Sequence, residues 1–218
     1  MLKYILFDLD GTITEPSLGI TNSAKYALEK LGIKVNNNQD LLFFIGPPLM
    51  ETFKEYYGFD DNMATLAVEK YREHYKDIGM MQCELYPSIE KLLIELKNMG
   101  YTLAIATCKP KIFAVPILKH FNLDKYFTYI AGASIDGNIS LKEEVIQDAL
   151  NNLNVTNNQE VIMIGDRKHD VIGAKKHNID CIGVLYGYGS KQEFIDCNCK
   201  YIVNDVLDIL ELIKKVEQ

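Results

Sequence analysis

The sequence predicts an α/β protein with a doubly wound, mostly parallel sheet and an inserted α-helical subdomain. Short β-rich runs alternate with segments of helical periodicity along most of the 218 residues, as in folds whose strands are linked by helices. Several of these runs are apolar throughout, which is typical of strands buried on both faces of a parallel sheet. One interval, residues 15–83, breaks the rhythm because it shows helical periodicity without a convincing strand.

The predicted strands and helices of the sheet domain follow from these patterns. Ser88–Met99, for example, carries Ile89, Leu92 and Leu96 at helical spacing and stops at Gly100, and glycine is a favourable residue just past a helix end. The predicted strands are Leu2–Phe7, Tyr101–Ala106, Tyr129–Ala131, Val161–Ile164, Cys181–Leu185 and Tyr201–Val203. The other predicted helices are Ile112–His120, Glu143–Leu153, Asp170–His177 and Val206–Val216.

The interval 15–83 is predicted to be a helical cap inserted after the first strand. We therefore assign residues 1–14 and 84–218 to the α/β core and residues 15–83 to the cap. Within it, Gly46-Pro47-Pro48 is a breaker between two of its helices. The aromatic residues of the cap are expected to form its core rather than a nucleobase platform; they are Phe43, Phe44, Phe53, Tyr56 and Tyr57.

Composition narrows the classes of partner. The formal net charge is −7 and no block of Lys and Arg stands out, so we expect no nucleic acid polymer as partner, because phosphate-backbone binding needs a concentrated basic face. The five cysteines follow no metal-site or disulfide pattern, which favours reduced thiols. No run approaches the ~18–20 apolar residues that cross a bilayer. We expect a soluble, cytoplasmic protein, either a monomer or a homodimer.

The first strand runs directly into two carboxylates. Asp8 and Asp10 are separated by one residue, and Gly11 and Thr12 follow at once. At the carboxyl end of a parallel strand, such a pair can hold a hard cation such as Mg²⁺ and offer an oxygen nucleophile. The alternative is an acidic turn, since Asp and Gly are common turn residues. These residues alone do not decide between the two interpretations.

A second strand repeats the acidic ending. Val161–Gly165 is followed by Asp166 and, four residues later, by Asp170. Helix capping alone would account for Asp170, but it does not explain why both strands end in acids. Ligands of α/β sheets bind beyond the carboxyl ends of the strands, so all four acids are expected at one edge of the sheet.

The remaining candidates are a hydroxyl and a lysine. Thr107 follows the strand that ends at Ala106, and a hydroxyl beside free backbone N–H groups suits a phosphate oxygen. Lys142 precedes a helix and could offer a cation at the same edge. Taken singly, each has an ordinary explanation, as a loop threonine or a solvent-facing lysine. Lys109 competes with Lys142 for the cationic role.

Together these residues form a site for Mg²⁺ and a phosphoryl group, and the chain resembles a haloacid dehalogenase (HAD) superfamily phosphatase with a helical, C1-type cap. Asp8-Leu-Asp10-Gly-Thr12 matches the first family motif, Thr107 the second, Lys142 the third, and Gly165-Asp166-x-x-x-Asp170 the fourth. The order and spacing fit over essentially the whole chain. Within the superfamily the chain is similar to phosphoglycolate phosphatases, and Gly46–Leu49 and Gly187–Ser190 also resemble segments of 5′-nucleotidases.

The resemblance implies a role for each residue. Asp8 would be the nucleophile, and Asp10 would protonate the leaving alcohol and then activate water, with Thr12 fixing its side chain. Mg²⁺ would be held by Asp8, Asp166 and the backbone carbonyl of Asp10, while Asp170 would ligate the metal or orient a ligand. Thr107 and Lys142 would bind the phosphoryl oxygens. The cap would close over the site and contact the leaving group. Gly46–Leu49 is the candidate for the part of the cap nearest the substrate, and a plain turn between helices is the alternative.

Several functions stay open from the sequence. A small-molecule phosphomonoester such as phosphoglycolate is the expected substrate, and nucleoside 5′-monophosphates or sugar phosphates are alternatives. A sugar-phosphate mutase shares every motif. A phosphoacceptor receiver module has similar residues, but it is only ~120 residues long and has no inserted cap. A dehalogenase needs neither a metal nor a second acid at the position of Asp10.

Overall fold

The computed structural model describes residues 1–216, and these fall into two compact units. One unit holds the residues up to Glu15 together with those from Leu85 onward, and the other holds Pro16–Glu84. The strands are β1 (Tyr4–Phe7), β2 (Thr14–Glu15), β3 (Glu84–Leu85), β4 (Thr102–Pro110), β5 (Phe127–Ala133), β6 (Val161–Gly165), β7 (Asp180–Val184) and β8 (Tyr201–Val203).

The helices account for most of the remaining ordered backbone. They are α1 (Ser17–Lys30), α2 (Leu49–Tyr57), α3 (Asp61–Asp77), α4 (Ile89–Asn98), α5 (Lys111–His120), α6 (Lys142–Asn152), α7 (Lys168–Lys176), α8 (Lys191–Asp196) and α9 (Val206–Val216). Short 3₁₀ helices cover Asn38–Phe44, Gly79–Met81, Asp124–Tyr126 and Asn158–Glu160. Within residues 1–216, no helix combines the length and the apolar character needed to cross a bilayer.

The larger unit is built on a six-stranded sheet with the strand order β5-β4-β1-β6-β7-β8. All of its neighbouring strands run parallel, so the predicted doubly wound α/β fold is confirmed. From β1 the order proceeds outward through β4 and β5 on one side and through β6, β7 and β8 on the other. The strand order therefore reverses beside β1, and a crevice for ligands opens at such a point, beyond the carboxyl ends of the strands.

Alternating side chains of the strands bury both faces of this sheet. Ile5 and Phe7 belong to a core cluster with apolar residues of α4, α5 and α9. Leu6 belongs to the opposite cluster, with residues of α6, α7 and α8. Because successive side chains of a strand point to opposite faces, a run that is apolar throughout supplies both clusters. The rigid, two-sided packing fixes the strand ends that carry the polar residues.

Several local features differ from the predictions. Strand β4 continues through Thr107 to Pro110, with a register shift against β5 between these two residues, so Thr107 lies within an irregular strand rather than after it. Helix α6 begins at Lys142, and α7 begins two residues before Asp170. The six-residue helix α8 was not predicted, because a segment this short shows too little periodicity to be recognised.

The smaller unit is helical. Helix α1 packs against α3 and against the 3₁₀ helix Gly79–Met81. Gly19 allows a close approach to the second of these, since a Cβ atom on it would lie 2.0 Å from the Gly79 carbonyl oxygen. Phe44 and Phe53 are buried, with ring centroids 4.8 Å apart, as expected of a core. Tyr56 is 54% exposed, so not all of the aromatic residues are core residues. The role of this unit as a lid stays a prediction.

Candidate active site

The carboxyl ends of β1 and β6 bring three acids together. Asp8 follows β1 and Asp166 follows β6, while Asp170 lies in the first turn of α7. The backbone N–H of Asp8 donates to the Ile164 carbonyl, 2.9 Å away, which continues the ladder between the two strands. One carboxylate oxygen from each of the three acids lies within 4.8 Å of the others. The sequence predicted this convergence at the sheet edge.

These three carboxylates fit a divalent cation. All three residues are buried, with Asp8 7%, Asp166 1% and Asp170 0% exposed. Burial, followed by the charges of Asp170 and Asp8, raises the pKa of Asp166 well above its usual value. Burial likewise raises the pKa of Asp170 to about 6 despite the opposing effect of Lys142. Buried oxygen ligands in such surplus suit a hard cation, and Mg²⁺ takes carboxylate oxygens and water.

Lys142 is the cation of this cluster. Its Nζ lies 3.0 Å from Asp8 Oδ1 and 2.7 Å from Asp170 Oδ1, and it donates to the Ala106 carbonyl of β4 at 3.0 Å. Burial alone would lower the pKa of Lys142, but the carboxylates of Asp170 and Asp8 raise it well above its ordinary value. The lysine therefore links the ends of β1, β4 and α7 as a charged group.

Asp10 has different surroundings from Asp8. Its Oδ2 forms an ion pair with Lys109 Nζ at 2.6 Å, and its Oδ1 accepts a long hydrogen bond from Thr14 at 3.4 Å. Burial raises the pKa of Asp10, although Lys109 opposes this effect. The side chain of Asp10 is not one of the three grouped carboxylates, so a metal contact from this residue would use its main chain, as the sequence-based assignment states.

Thr107 and Lys109 lie on the irregular end of β4. The Thr107 side chain is buried, and its hydroxyl oxygen accepts a hydrogen bond from the backbone N–H of Lys109 at 3.2 Å. The two lysines that competed for one role thus take separate places, Lys142 with Asp8 and Lys109 with Asp10. The sequence did not reveal the pairing of Lys109 with Asp10, because 99 residues separate them.

The turn after β1 is shaped by Gly11. Its φ is +80°, a left-handed conformation that glycine adopts without cost. A Cβ atom on Gly11 would lie 2.1 Å from Asp166 Oδ2, so the carboxylate of Asp166 occupies the space that a side chain would need. The backbone N–H groups of Ile13 and Thr14 both donate to the Leu9 carbonyl, each at 2.9 Å. Glycine is therefore required here by conformation and by space.

The segment Gly187–Ser190, which resembles 5′-nucleotidases in sequence but had no predicted role, also reaches the acids. The backbone N–H of Tyr188 donates to Asp166 Oδ2 at 2.8 Å, and Gly187 and Gly189 pack directly against Asp166. Two glycines closely following a predicted strand were the available signal. Asp170, in turn, also serves its helix, because its Oδ2 accepts the backbone N–H of Arg167 at 3.0 Å. Capping and membership of the acidic cluster are both found for this residue.

Several named proteins are similar in sequence over most of this chain. A protein named 5′-nucleotidase from Pseudomonas aeruginosa is 44% identical over 88% of this chain and 87% of its own length. A protein named tyrosine-protein kinase PtkA from Mycobacterium tuberculosis is 38% identical over 96% of this chain and 71% of its own length. A phosphoglycolate phosphatase from Vibrio parahaemolyticus is 27% identical over 97% of this chain and 96% of its own length.

Solved structures and a family model agree with these relatives. A crystal structure described as a predicted phosphatase from Clostridium acetobutylicum is 46% identical, covers 99% of each chain and superimposes with a TM-score of 0.95. The family model of haloacid dehalogenase-like hydrolases matches residues 5–184, a range that includes every acid, lysine and threonine of the site. The resemblance read from the motifs is thereby confirmed. The chain belongs to the haloacid dehalogenase-like hydrolase family.

Proposed function

We propose that this protein is a Mg²⁺-dependent phosphatase that hydrolyses a small phosphomonoester through an aspartyl-phosphate on Asp8. The observation that carries the proposal is the unequal environment of two acids one residue apart. Asp8 lies with Lys142 and two further carboxylates, whereas Asp10 lies apart from them with Lys109 and has a raised pKa caused by burial. Acids held in different environments can take different parts in one reaction.

Asp8 and Asp10 divide the two half-reactions between them. In the first, an Asp8 carboxylate oxygen bonds to phosphorus and the bond from phosphorus to the leaving oxygen breaks, while Asp10 donates a proton to that oxygen. In the second, Asp10 takes a proton from a water molecule whose oxygen bonds to phosphorus. The bond from phosphorus to Asp8 then breaks, releasing inorganic phosphate and restoring both acids. The raised pKa of Asp10 supports its part as the acid.

The other residues would bind the phosphoryl group and the metal ion and offset the negative charge of the substrate. Thr107 and Lys142 would bind the oxygens of the transferring phosphoryl group, whose charge they stabilise in the transition state. Asp8, Asp166 and the backbone carbonyl of Asp10 would hold Mg²⁺, with Asp170 ligating it or orienting a ligand. The bound metal supplies positive charge that offsets the repulsion between the Asp8 carboxylate and a phosphate dianion.

The roles are tested by paired substitutions. Asp8→Asn is expected to abolish phosphate release, because an amide is a poor nucleophile, and Asp10→Asn to lower kcat by about 10²–10⁴-fold, the usual contribution of a proton-transferring group. Asp180→Asn, which alters an acid whose side chain is 49% exposed, is the matched control and should keep full activity. Substantial turnover by folded Asp8→Asn protein would show that the assigned nucleophile is wrong.

The substrate class is a separate question. The 44% identity to a named 5′-nucleotidase favours nucleoside 5′-monophosphates, and the named phosphoglycolate phosphatases are less similar. Release of phosphate should be measured over nucleoside monophosphates, phosphoglycolate and sugar phosphates, with Asp8→Asn protein as the blank. A preference of tenfold or more in kcat/KM for nucleotides supports the nucleotidase assignment, and a preference for phosphoglycolate overturns it.

Three further outcomes would replace the hydrolase proposal itself. Conversion of a hexose 1-phosphate into the 6-phosphate, detected by NMR, would identify a mutase. Transfer of phosphate from ATP to a tyrosine-containing peptide, without comparable hydrolysis of any ester, would identify an activity like the one for which PtkA is named. Stable phosphorylation of Asp8 with no turnover would identify a phosphoacceptor module.

A further inference from the structure

The segment after β7, residues 186–190, contacts both Asp166, which follows β6, and the residues that follow β1. Its backbone reaches Asp166 through the N–H of Tyr188, which donates to Asp166 Oδ2 at 2.8 Å. Its side chains reach the turn that follows β1, because the Tyr186 hydroxyl donates to the Thr12 carbonyl at 2.9 Å and the Tyr188 hydroxyl donates to Glu15. One short segment thus connects the end of β6 with the turn that carries Asp8 and Asp10.

The two glycines of this segment are required by space. A Cβ atom on Gly189 would lie 2.0 Å from the backbone carbonyl oxygen of Asp166. A Cβ atom on Gly187 would lie 2.4 Å from the Asp166 Cβ and 2.3 Å from the Gly11 carbonyl oxygen. Neither glycine has a φ in the left-handed region, so alanine could adopt the same backbone conformation. An alanine at either position would, however, displace Asp166, because its Cβ atom would overlap with atoms of that residue.

These contacts define the orientation of one carboxylate. Asp166 is 1% exposed, so water does not compete for the oxygen that accepts the Tyr188 N–H. A carboxylate can accept about four hydrogen bonds or metal contacts, so one N–H restrains one oxygen of Asp166 and leaves capacity for a cation. Groups that orient a metal ligand in this way commonly change metal affinity by about 10–100-fold when they are altered.

We propose that residues 186–190 are a positioning segment that holds the Asp166 carboxylate in the orientation required for Mg²⁺ binding, through the Tyr188 N–H and the close packing of Gly187 and Gly189. This inference rests on the proposed function, since it takes Asp166 as a metal ligand. The segment itself contributes no ligand. It acts by preventing Asp166 from rotating or shifting away from Asp8 and Asp170.

The test compares two glycines that both lie in crowded surroundings but contact different groups. Gly189→Ala should weaken Mg²⁺ binding by at least about tenfold, measured by calorimetry with the ion alone and by the EPR signal of free Mn²⁺. Gly183→Ala is the matched control, because the three atoms nearest to a Cβ atom there would all belong to the Phe194 ring, the first of them 2.7 Å away. It should lower thermal stability and leave metal affinity unchanged. Equal metal affinities in the two variants would overturn the proposal.

A second variant covers the case in which Gly189→Ala fails to fold. Tyr186→Phe adds no atoms and removes only the hydroxyl that donates to Thr12, and it should weaken Mg²⁺ binding several-fold. Unchanged affinity in this variant overturns the proposal if Gly189→Ala is unfolded. Asp166→Ala tests the metal site separately from the positioning segment. If it still binds Mg²⁺ normally, the metal site of the proposed function is wrong, whatever the glycine variants do.

Discussion

Replacing Lys142 by methionine tests the electrostatics at the centre of the site. Methionine is unbranched and similar in length, but it removes the charge that lies 3.0 Å from Asp8 and 2.7 Å from Asp170. The side chains of Lys142, Asp8 and Asp170 are 4%, 10% and 0% exposed, so little water can reach the two carboxylates in place of the lysine. Breaking a buried ion pair by removing one partner costs about 3–5 kcal/mol. For a chain of this length that corresponds to a fall in Tm of about 6–20 °C.

The assay is urea unfolding followed by far-UV circular dichroism in the absence of divalent cations. Lys176→Met is the matched control. It also removes a lysine from an ion pair, here with Glu143, but the Lys176 side chain is 56% exposed. Exposed pairs contribute at most about 1 kcal/mol. In an Asp8→Asn background, Lys142→Met should cost less, because one of the two stranded carboxylates has become a neutral amide.

The pH dependence supplies an independent check. Burial raises the pKa of Asp170 to about 6 even with Lys142 present, and removing the lysine should raise it further. The folded state of Lys142→Met then binds protons more tightly than the unfolded state, so its free energy of unfolding falls as the pH rises. The deficit relative to the unsubstituted protein should therefore be larger at pH 8 than at pH 5. A deficit below 1 kcal/mol, or one equal to that of Lys176→Met at both pH values, would refute the reasoning.

Three further predictions concern single groups. Gly11→Ala should weaken Mg²⁺ binding by at least about tenfold in calorimetry, because its Cβ would lie 2.1 Å from Asp166 Oδ2, whereas Gly137→Ala, also at positive φ but in open space, should not. Lys109→Met should lower kcat by at least about tenfold by releasing Asp10 from its ion pair, with Mg²⁺ affinity unchanged; an unaltered kcat would exclude a positioning role. A hydrogen bond from Cys181 lowers the pKa of Cys199 to about 7, so iodoacetamide at pH 7.5 should alkylate Cys199 before Cys197, whose pKa burial raises; the reverse order by mass spectrometry would contradict this.

The fold could be predicted because its cause is visible in the sequence. A strand buried on both faces must be apolar at every position, as Val161–Ile164 is, and such runs separated by amphipathic helices leave few alternatives to a doubly wound sheet. Segments without periodicity escaped prediction. The 3₁₀ helix Asn38–Phe44 contains consecutive apolar residues that fit no helical spacing, and the irregular end of β4 depends on its pairing with β5.

The site was predictable in membership but not in pairing. Residue type and spacing select Asp8, Asp166 and Asp170, because acids at the ends of buried strands have few structural explanations. The pairing of each lysine with an acid depends on the positions of α6 and of the end of β4 in the fold. No local sequence pattern predicts these positions. The glycines of residues 186–190 show the same limit, since the need for a small residue arises from Asp166, more than twenty residues earlier in the chain.

The geometry at the end of β1 explains how Asp8 and Asp10, in one motif, can have different chemical roles. Successive side chains of an extended chain point to opposite faces, but residues separated by one share a face, so Asp8 and Asp10 on a continuing strand would lie together and face the same neighbours. The turn prevents this, because the chain bends back after Leu9, whose carbonyl accepts the N–H groups of Ile13 and Thr14. As a result of this bend, Asp8 lies beside Lys142 and the acids that follow β6, whereas Asp10 lies beside Lys109 of β4. The proposed nucleophile and the proposed proton donor, one residue apart, are thus kept in different electrostatic surroundings by a turn that Gly11 makes possible.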